Sequence, residues 1–569
     1  MRMGSHRVGG VAVSVAVALT AVGLAGCSGS SGGGSHPSGT SAPPAPQAQG
    51  MNPQPLDDLK QGGDLKQSIQ QWITQYNPNQ VEGTEGDGQS IVALVEPTLF
   101  LADSQGVNHP DPDFLLSAEV TSASPQVVTY RLNPKAKWSD GKQLSWLDFQ
   151  AMWKALNGTD QAYEVADSSG YSQIASVAQG ADAQEVKVTF KQPYADWQRL
   201  FKVLLPASAY STPEEFNKGW IEKVPVTGAA FKIADYNKTT QTITAVPDPN
   251  WWGTKPKLDR IIFRALGSTA ATAAYLSGEI DLVAANTAAT YKQLAAAPDT
   301  EIRTGSRWDE VHLTLNGSAG GPTADVKVRQ AIGEAIDRKI VATAAGKGLP
   351  FTPPVLNSHF YMPGQTGYQD NAGVYGSYDP AAAKALLDQA GWQDNGAGKP
   401  RTKDGKPLTL TYVLSEGSAQ TSFDVEGIIA QMLKEVGVEL TLQKVPDDDF
   451  FDKYVDKGAF DITSFRNVDE IYPSMLYSTF QQPTADQVYG NYGRVGSAQV
   501  DQLLDQAGAT TDPTRARALY NQADRLIWQS GHSLELYQRP QIDAVRKGLA
   551  NYGATGLADV DYAKVGWVK

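Results

Sequence analysis

Between Ile428 and Gln443 the hydrophobic period changes in mid-run. Ile428, Ile429, Met432, Leu433 and Val436 fall on one helical stripe, Gly437 interrupts it, and Val438, Leu440 and Leu442 then alternate with Glu439, Thr441 and Gln443. No single element can satisfy both periods, so the spacing predicts a helix followed directly by a strand. Other helices around it carry their own start and stop signals. Asp379 can cap free N–H groups, Pro380 suits a first helical position, Leu386 and Leu387 share a face, and Gly391 ends the run. Asp512-Pro513 repeats the device, with Ala516, Leu519, Tyr520, Ala523, Leu526 and Ile527 at helical spacing and Gly531 as the stop. A third helix is expected from about Asp325, and Phe460 to Phe465 reads as a further short strand. Helices interleaved with short strands build sheets covered by helices, which is an α/β architecture.

The first half reads differently, with strands expected at Gln126 to Leu132, Glu185 to Phe190, Gln241 to Val246 and Arg260 to Arg264 between loops. The body from about Leu56 to Lys569 is long enough for two core-bearing lobes, and two α/β lobes are expected.

The N-terminal segment is of another kind. Arg2 and Arg7 precede a small and apolar run from Val11 to Leu24, which is the layout of a secretory signal and is short for a bilayer-spanning helix. Leu24-Ala25-Gly26-Cys27 resembles the bacterial lipobox, which implies lipidation of Cys27. Cys27 is the one cysteine of the chain, so an internal disulfide is excluded. From Ser28 to about Pro55 the chain is made mostly of Ser, Gly, Pro, Ala, Gln and Thr and reads as a flexible tether. With 48 Lys and Arg against 61 Asp and Glu, the net charge of -13 leaves no electrostatic footprint for nucleic acid.

Several motifs, in a fixed order, resemble the extracellular solute-binding proteins of the peptide, dipeptide and nickel importers (family 5). Tyr130-Arg131-Leu132-Asn133-Pro134 running to Trp138-Ser139-Asp140-Gly141-Lys142 is similar to the family's strand, basic turn and Trp-Ser-Asp-Gly signature. Thr227-Gly228 with Phe231-Lys232 resembles its Gly-Pro-Tyr-Lys turn, although Ala229 and Ala230 depart from it, and Pro249-Asn250-Trp251-Trp252 follows. Downstream, Gly278-Glu279-Ile280-Asp281, Asp325-Val326-Lys327-Val328-Arg329-Gln330-Ala331 through Asp337-Arg338, and Tyr378-Asp379-Pro380 through Gly391-Trp392 resemble further family elements. Most of these residues read as scaffold: a packed indole at Trp138, polar anchors at Arg329 and Asp337, a helix-end plug at Trp392.

The resemblance implies a two-lobed periplasmic-binding-protein-like fold, type II, cluster C, with a discontinuous N-terminal lobe and an inserted second lobe. The expected layout is a signal peptide over 1–26, lipidated Cys27 and tether over 27–55, lobe I over 56–314 with an extra subdomain, lobe II over 315–535, and a return to lobe I over 536–569. The crossings should fall near His312 to Asn316 and Leu534 to Arg539. The implied function is capture of a peptide between the lobes and delivery to an ABC permease and ATPase complex, on the extracytoplasmic face of the membrane, by a monomer held there by lipid alone. The alternative is a lipid-anchored regulator of envelope glycolipid assembly on the same fold.

In the family, an acid shortly before a proline holds the peptide's amino group, and Asp469 stands at the matching distance from Pro473. An exposed loop acid is the other reading of Asp469. Glu470 and Tyr472 replace the family's tyrosine and second aspartate, and Arg466 its tryptophan. Arg466 either pairs with a ligand carboxylate or neutralises Asp469. Phe465, Tyr472 and Trp308 are candidate walls, on the ground that flat apolar faces hold peptide ligands, and Asn316 is a further one from its place inside the expected crossing.

No catalytic constellation is visible. The Gly-x-Ser-x-Gly match, Gly29 to Gly33, lies in the tether and has no strand before it or helix after it. His6, His36, His109, His312, His359 and His532 show no metal-type spacing, and neither a metal nor a cofactor is expected.

Overall fold

Asp512 accepts hydrogen bonds from the backbone N–H groups of Thr514 and Arg515, and the helix that it caps runs over Pro513–Ser530 and stops at Gly531, in the left-handed region at φ 61°. Asp379 caps Pro380–Gln389 in the same way, and Asp325 caps Val326–Ala335. Arg329 ties two of these helices together. Its guanidinium donates to the carbonyls of Thr323 and Ala324 at one helix start and to those of Ser530 and Gly531 at another helix end, where a cation also meets the negative end of the helix dipole. The change of period at Gly437 is a helix over Gln420–Glu435 followed by a strand over Glu439–Val445.

The computed structural model describes residues 50–468, 471–484 and 487–569. The signal, Cys27 and most of the tether lie outside them, as do Asp469 and Glu470. One sheet carries the fold. Its strands are β1 (Asp64–Ile69), β2 (Phe231–Asn237), β3 (Thr242–Pro247), β4 (Arg260–Ala265), β5 (Leu282–Ala284), β6 (Thr300–Leu315), β7 (Thr409–Ser415), β8 (Glu439–Val445), β9 (Ile462–Thr463), β10 (Arg466–Val468) and β11 (Ser533–Arg546). They lie in the order β8-β7-β9-β6-β11-β5-β1-β4-β3-β2, with β10 added against β6.

The long strands β6 and β11 are antiparallel neighbours from Thr300 opposite Arg546 to Thr314 opposite Ser533, with register shifts between Ser306 and Glu310 and again between Val311 and His312. They carry the chain between two hydrophobic cores. One core gathers residues from Leu65 to Phe263 together with Val545, Leu549 and Val565 near the C-terminus; the other gathers Leu313 to Leu536. The first lobe is thus discontinuous in sequence and the second is inserted into it.

The first lobe also holds an antiparallel sheet ordered Leu115–Ala123, Gln126–Leu132, Glu185–Phe190 and Ile174–Gln179. Tyr130 on its second strand is fully buried, 5.2 Å from the Phe149 ring and 6.2 Å from that of Phe201. Such aromatic pairs contribute about 0.5–1.5 kcal/mol beyond the area they bury.

The segment expected as one strand from Phe460 to Phe465 is broken into β9 and β10. Asn316 holds the Gly458 and Phe460 carbonyls and Asp461 accepts from the Thr411 N–H, which fixes the start of the segment at β7 and β6. After Thr463 the chain leaves this ladder and pairs again with β6 at Arg466, opposite Val311.

Buried acids make the stability depend on pH. Asp543 on β11 is buried beside Gln541, and burial pushes its carboxyl up to about 6. The folded chain therefore keeps this proton between about pH 4 and 6 while the unfolded chain loses it. The contribution is complete below the unfolded value and is lost as pH rises through about 6. Asp543→Asn should remove this slope, so that urea midpoints of wild type and variant diverge by up to about 2–3 kcal/mol between pH 4 and 6.5. Parallel profiles would show that Asp543 titrates alike in both states.

Candidate ligand cleft

A helix, a turn of indoles and the C-terminal loop supply one wall of a cleft of about 630 Å³, and Trp308, Ile471 and Tyr472 close over it. The helix, Gly86–Val95, begins where Glu85 accepts from the N–H groups of Asp87 and Gly88. Phe114 packs on Trp251 at 5.4 Å, and Trp251 donates its indole N–H to the Thr254 carbonyl, so this flat face is held from behind. Trp308 reaches the cleft from β6 at the first register shift and donates to the Leu557 carbonyl at 3.2 Å. Gly106 permits that approach: its φ is +67°, and a Cβ there would lie 2.9 Å from the Trp308 ring.

Among the charged lining residues, Glu96, Asp111, Asp113, Asp559 and Asp561 outnumber Arg199 and Lys202. Asp559 accepts from Lys202 Nζ and from the Ala102 N–H, both at 2.8 Å, and Asp561 pairs with Lys564 at 2.9 Å. Asp111 is pushed up to about 6 by burial, with the neighbouring Asp561 and Asp113 charges adding to it. A wall of this kind favours a ligand that brings positive charge and apolar surface.

Contacts cross the cleft mouth. Asn108 Nδ2 donates to the Tyr472 hydroxyl at 2.5 Å, the Ser474 N–H to Asp196 Oδ2 at 3.1 Å, and the Thr366 N–H to the Gln105 carbonyl at 2.9 Å. Each joins the first lobe to the second.

Of the residues singled out in the sequence, Trp308 and Tyr472 line this cleft together. Arg466 sits instead at Asp309, a carboxylate only 4% exposed that also meets Arg539 at 2.8 Å and Arg307 at 3.7 Å. Three guanidiniums meet this one carboxylate among the described residues, and Arg466 is 52% exposed. Phe465 packs edge-on against His312 and Tyr492. Asn316 commits its amide to backbone groups, donating to Gly458 and Phe460 and accepting from the Ser318 N–H. Asp469 lies outside the described residues. The acidic wall at Asp111, Asp559 and Asp561 was not singled out in advance, because it assembles from segments far apart in the chain and no local pattern marks it.

Two lobes joined by paired crossing strands, with a lined cleft between them, define a ligand-binding protein of the periplasmic-binding type. The chain belongs to the bacterial extracellular solute-binding proteins, family 5, whose middle-region family model matches residues 109–490. It is 37% identical over 563 residues to the oligopeptide-binding protein OppA of Mycobacterium tuberculosis, covering 97% of this chain and 93% of that protein. It is 28% identical over 468 residues, 76% of this chain and 70% of the other, to a protein of the same organism named "Probable monoacyl phosphatidylinositol tetramannoside-binding protein LpqW". The solved structure of the periplasmic EDTA-binding protein EppA superimposes with a TM-score of 0.80 at 24% identity, covering 93% of this chain and all of that one.

Proposed function

We propose that this chain is the extracytoplasmic solute-binding component of an ABC importer, that it captures oligopeptides between its lobes, and that it performs no catalysis. The similarity to OppA along 97% of the chain carries the reading, and the cleft with Trp308 and Tyr472 on its wall supports it. In this reading lobe I is 56–314 with 536–569 and lobe II is 315–535. Cys27 holds the lipid that keeps the protein at the membrane, and the tether lets a monomer reach the permease and its ATPase. Ligand contacts to both lobes favour the closed form, which is the form presented to the permease.

Asp469 is assigned the peptide's amino group. Arg466, half exposed beside Asp309, is assigned a ligand carboxylate; Phe465 and Asn316 shape the second-lobe side. Among the described residues no helix is long and apolar enough to cross a membrane.

Thermal-shift titration of the purified protein with a mixed short-peptide library tests the reading. Peptides at a hundredfold excess over Kd should stabilise the wild type by about 2.7 kcal/mol. Asp469→Ala should weaken binding at least about 30-fold, the loss expected when one partner of a buried charge pair is removed. A shift that survives in the variant removes Asp469 from the site and keeps the function. No shift with any peptide would sink peptide capture and turn attention to the glycolipid reading, which the lower similarity to LpqW supports less.

A further inference from the structure

Three acids on the first-lobe wall of the cleft, Glu96, Asp111 and Asp113, make no ion pair among the described residues. The cations near them are already committed. Lys202 pairs with Asp559, Lys564 with Asp561, and Arg199, the other basic residue of the lining, with Asp167. Asp111 Oδ1 accepts from the Asp113 N–H at 3.0 Å and Asp113 Oδ2 from the Thr254 N–H at 3.2 Å. Those bonds fix the two half-buried carboxyls in place and bring no positive charge.

Glu96 is the more unusual of the three. It follows the helix Gly86–Val95, is 0% exposed, and neither of its carboxyl oxygens has a hydrogen-bond partner among the described residues. A carboxyl in that place is disfavoured twice, by burial and by the negative end of the helix dipole. Burial accordingly pushes it well above the usual carboxylate range. The Asp111 N–H donates to the Leu99 carbonyl at 2.9 Å, which ties the acidic turn to the segment that carries Glu96. A cation arriving in the cleft would relieve both costs at Glu96 and supply the charge that Asp111 and Asp113 lack.

The indoles of Trp251 and Trp308 line the same cleft. A compact cation would use the acids alone, whereas a lysine or arginine side chain uses both features: its methylene stem lies along flat apolar faces while its head meets carboxylates. We propose that this wall is a subsite for a basic side chain of the bound peptide, so that the protein selects peptides that carry arginine or lysine. The inference rests on peptide capture in the cleft and names which peptides are captured. It also ties affinity to pH. Burial holds Asp111 at about 6, with Asp113, Asp561 and Lys564 as its charged neighbours. A cation beside it lowers that value, so a basic peptide binding at about pH 6 displaces a proton, and its affinity rises as pH rises through this range.

Calorimetric titration of the full chain with two matched peptide sets tests the subsite. One set is short alanine peptides with a single arginine at each position in turn; the other carries citrulline, the neutral isostere, at the same positions. Both sets keep a free amino terminus, so the ratio of their affinities reads the side-chain charge alone. At the best position and neutral pH the arginine peptide should bind the wild type at least about tenfold tighter, a partly exposed version of the loss seen when a buried charge pair is broken. The ratio should fall toward one in Asp111→Asn and in Glu96→Gln. Titrations at about pH 6 in buffers of different ionisation enthalpy should show more proton release with arginine than with citrulline. A wild-type ratio near one, with both sets bound, overturns the subsite and leaves peptide capture standing. An unchanged ratio in either variant places the cation elsewhere and also overturns it; if Glu96→Gln fails to fold, Asp111→Asn decides. Binding of neither set overturns peptide capture itself and the subsite with it.

Discussion

Arg338→Ala is expected to destabilise the protein by about 3–5 kcal/mol, the cost typical of removing one member of a buried charged network. Arg338 is buried and its guanidinium donates to the carbonyls of Leu356, Glu535 and Gly376 and to Asn357 Oδ1. It also lies 5.1 Å over the Trp528 ring. Truncation leaves those acceptors buried without a donor, and each such loss costs about 1–3 kcal/mol. The carbonyls belong to a loop, a short helical turn and β11, so the damage is to the packing of the second lobe around the crossing strand. Guanidinium chloride unfolding at fixed pH checks this. A loss below about 1 kcal/mol would mean that water replaces the guanidinium without cost.

Tyr472→Ala is expected to weaken peptide binding at least about 30-fold, the scale of a buried aromatic anchor at an interface. Tyr472 combines two roles. Its ring lines the cleft, and its hydroxyl accepts from Asn108 Nδ2 across the mouth at 2.5 Å. Tyr472→Phe separates them: it keeps the ring and removes the cross-lobe hydrogen bond, whose net worth is about 0.5–1.5 kcal/mol. Isothermal titration with one tight peptide from the library should rank wild type, Phe and Ala in that order, with the Phe variant within about tenfold of wild type. An Ala variant that binds like the wild type would remove Tyr472 from the ligand contacts.

Much of the fold was legible because its signals are local. Asp379-Pro380, Asp512-Pro513 and Gly531 act through groups within a few residues, and the helices begin and end where those residues stand. The alternation at Gln126–Leu132 and Glu185–Phe190 likewise became two strands with the expected bounds. Phe460 to Phe465 was less legible. Its apolar content fits a strand, but pairing there depends on Asn316 and Thr411, roughly 50 residues or more away, which hold its start, and the chain leaves that ladder after Thr463.

The chemistry of the site divides in the same way. Trp308 and Tyr472 stand out in the sequence as aromatics near a crossing and a proline, and both reach the cleft. Arg466 stands out as a cation beside an acid, yet its partner is Asp309, which is distant in sequence and adjacent only because β10 pairs with β6. His312 meets Glu535 only because β6 and β11 lie side by side, and His359 comes near it through its own contact with Asp524. Caps, stops, the alternation of helix and strand, the family motifs and the single cysteine depend on near neighbours and are readable from the residue order alone. Which distant acids, cations and imidazoles stand together is set by the folded arrangement. That sharing follows from strand pairing across more than two hundred residues, and no local period records it.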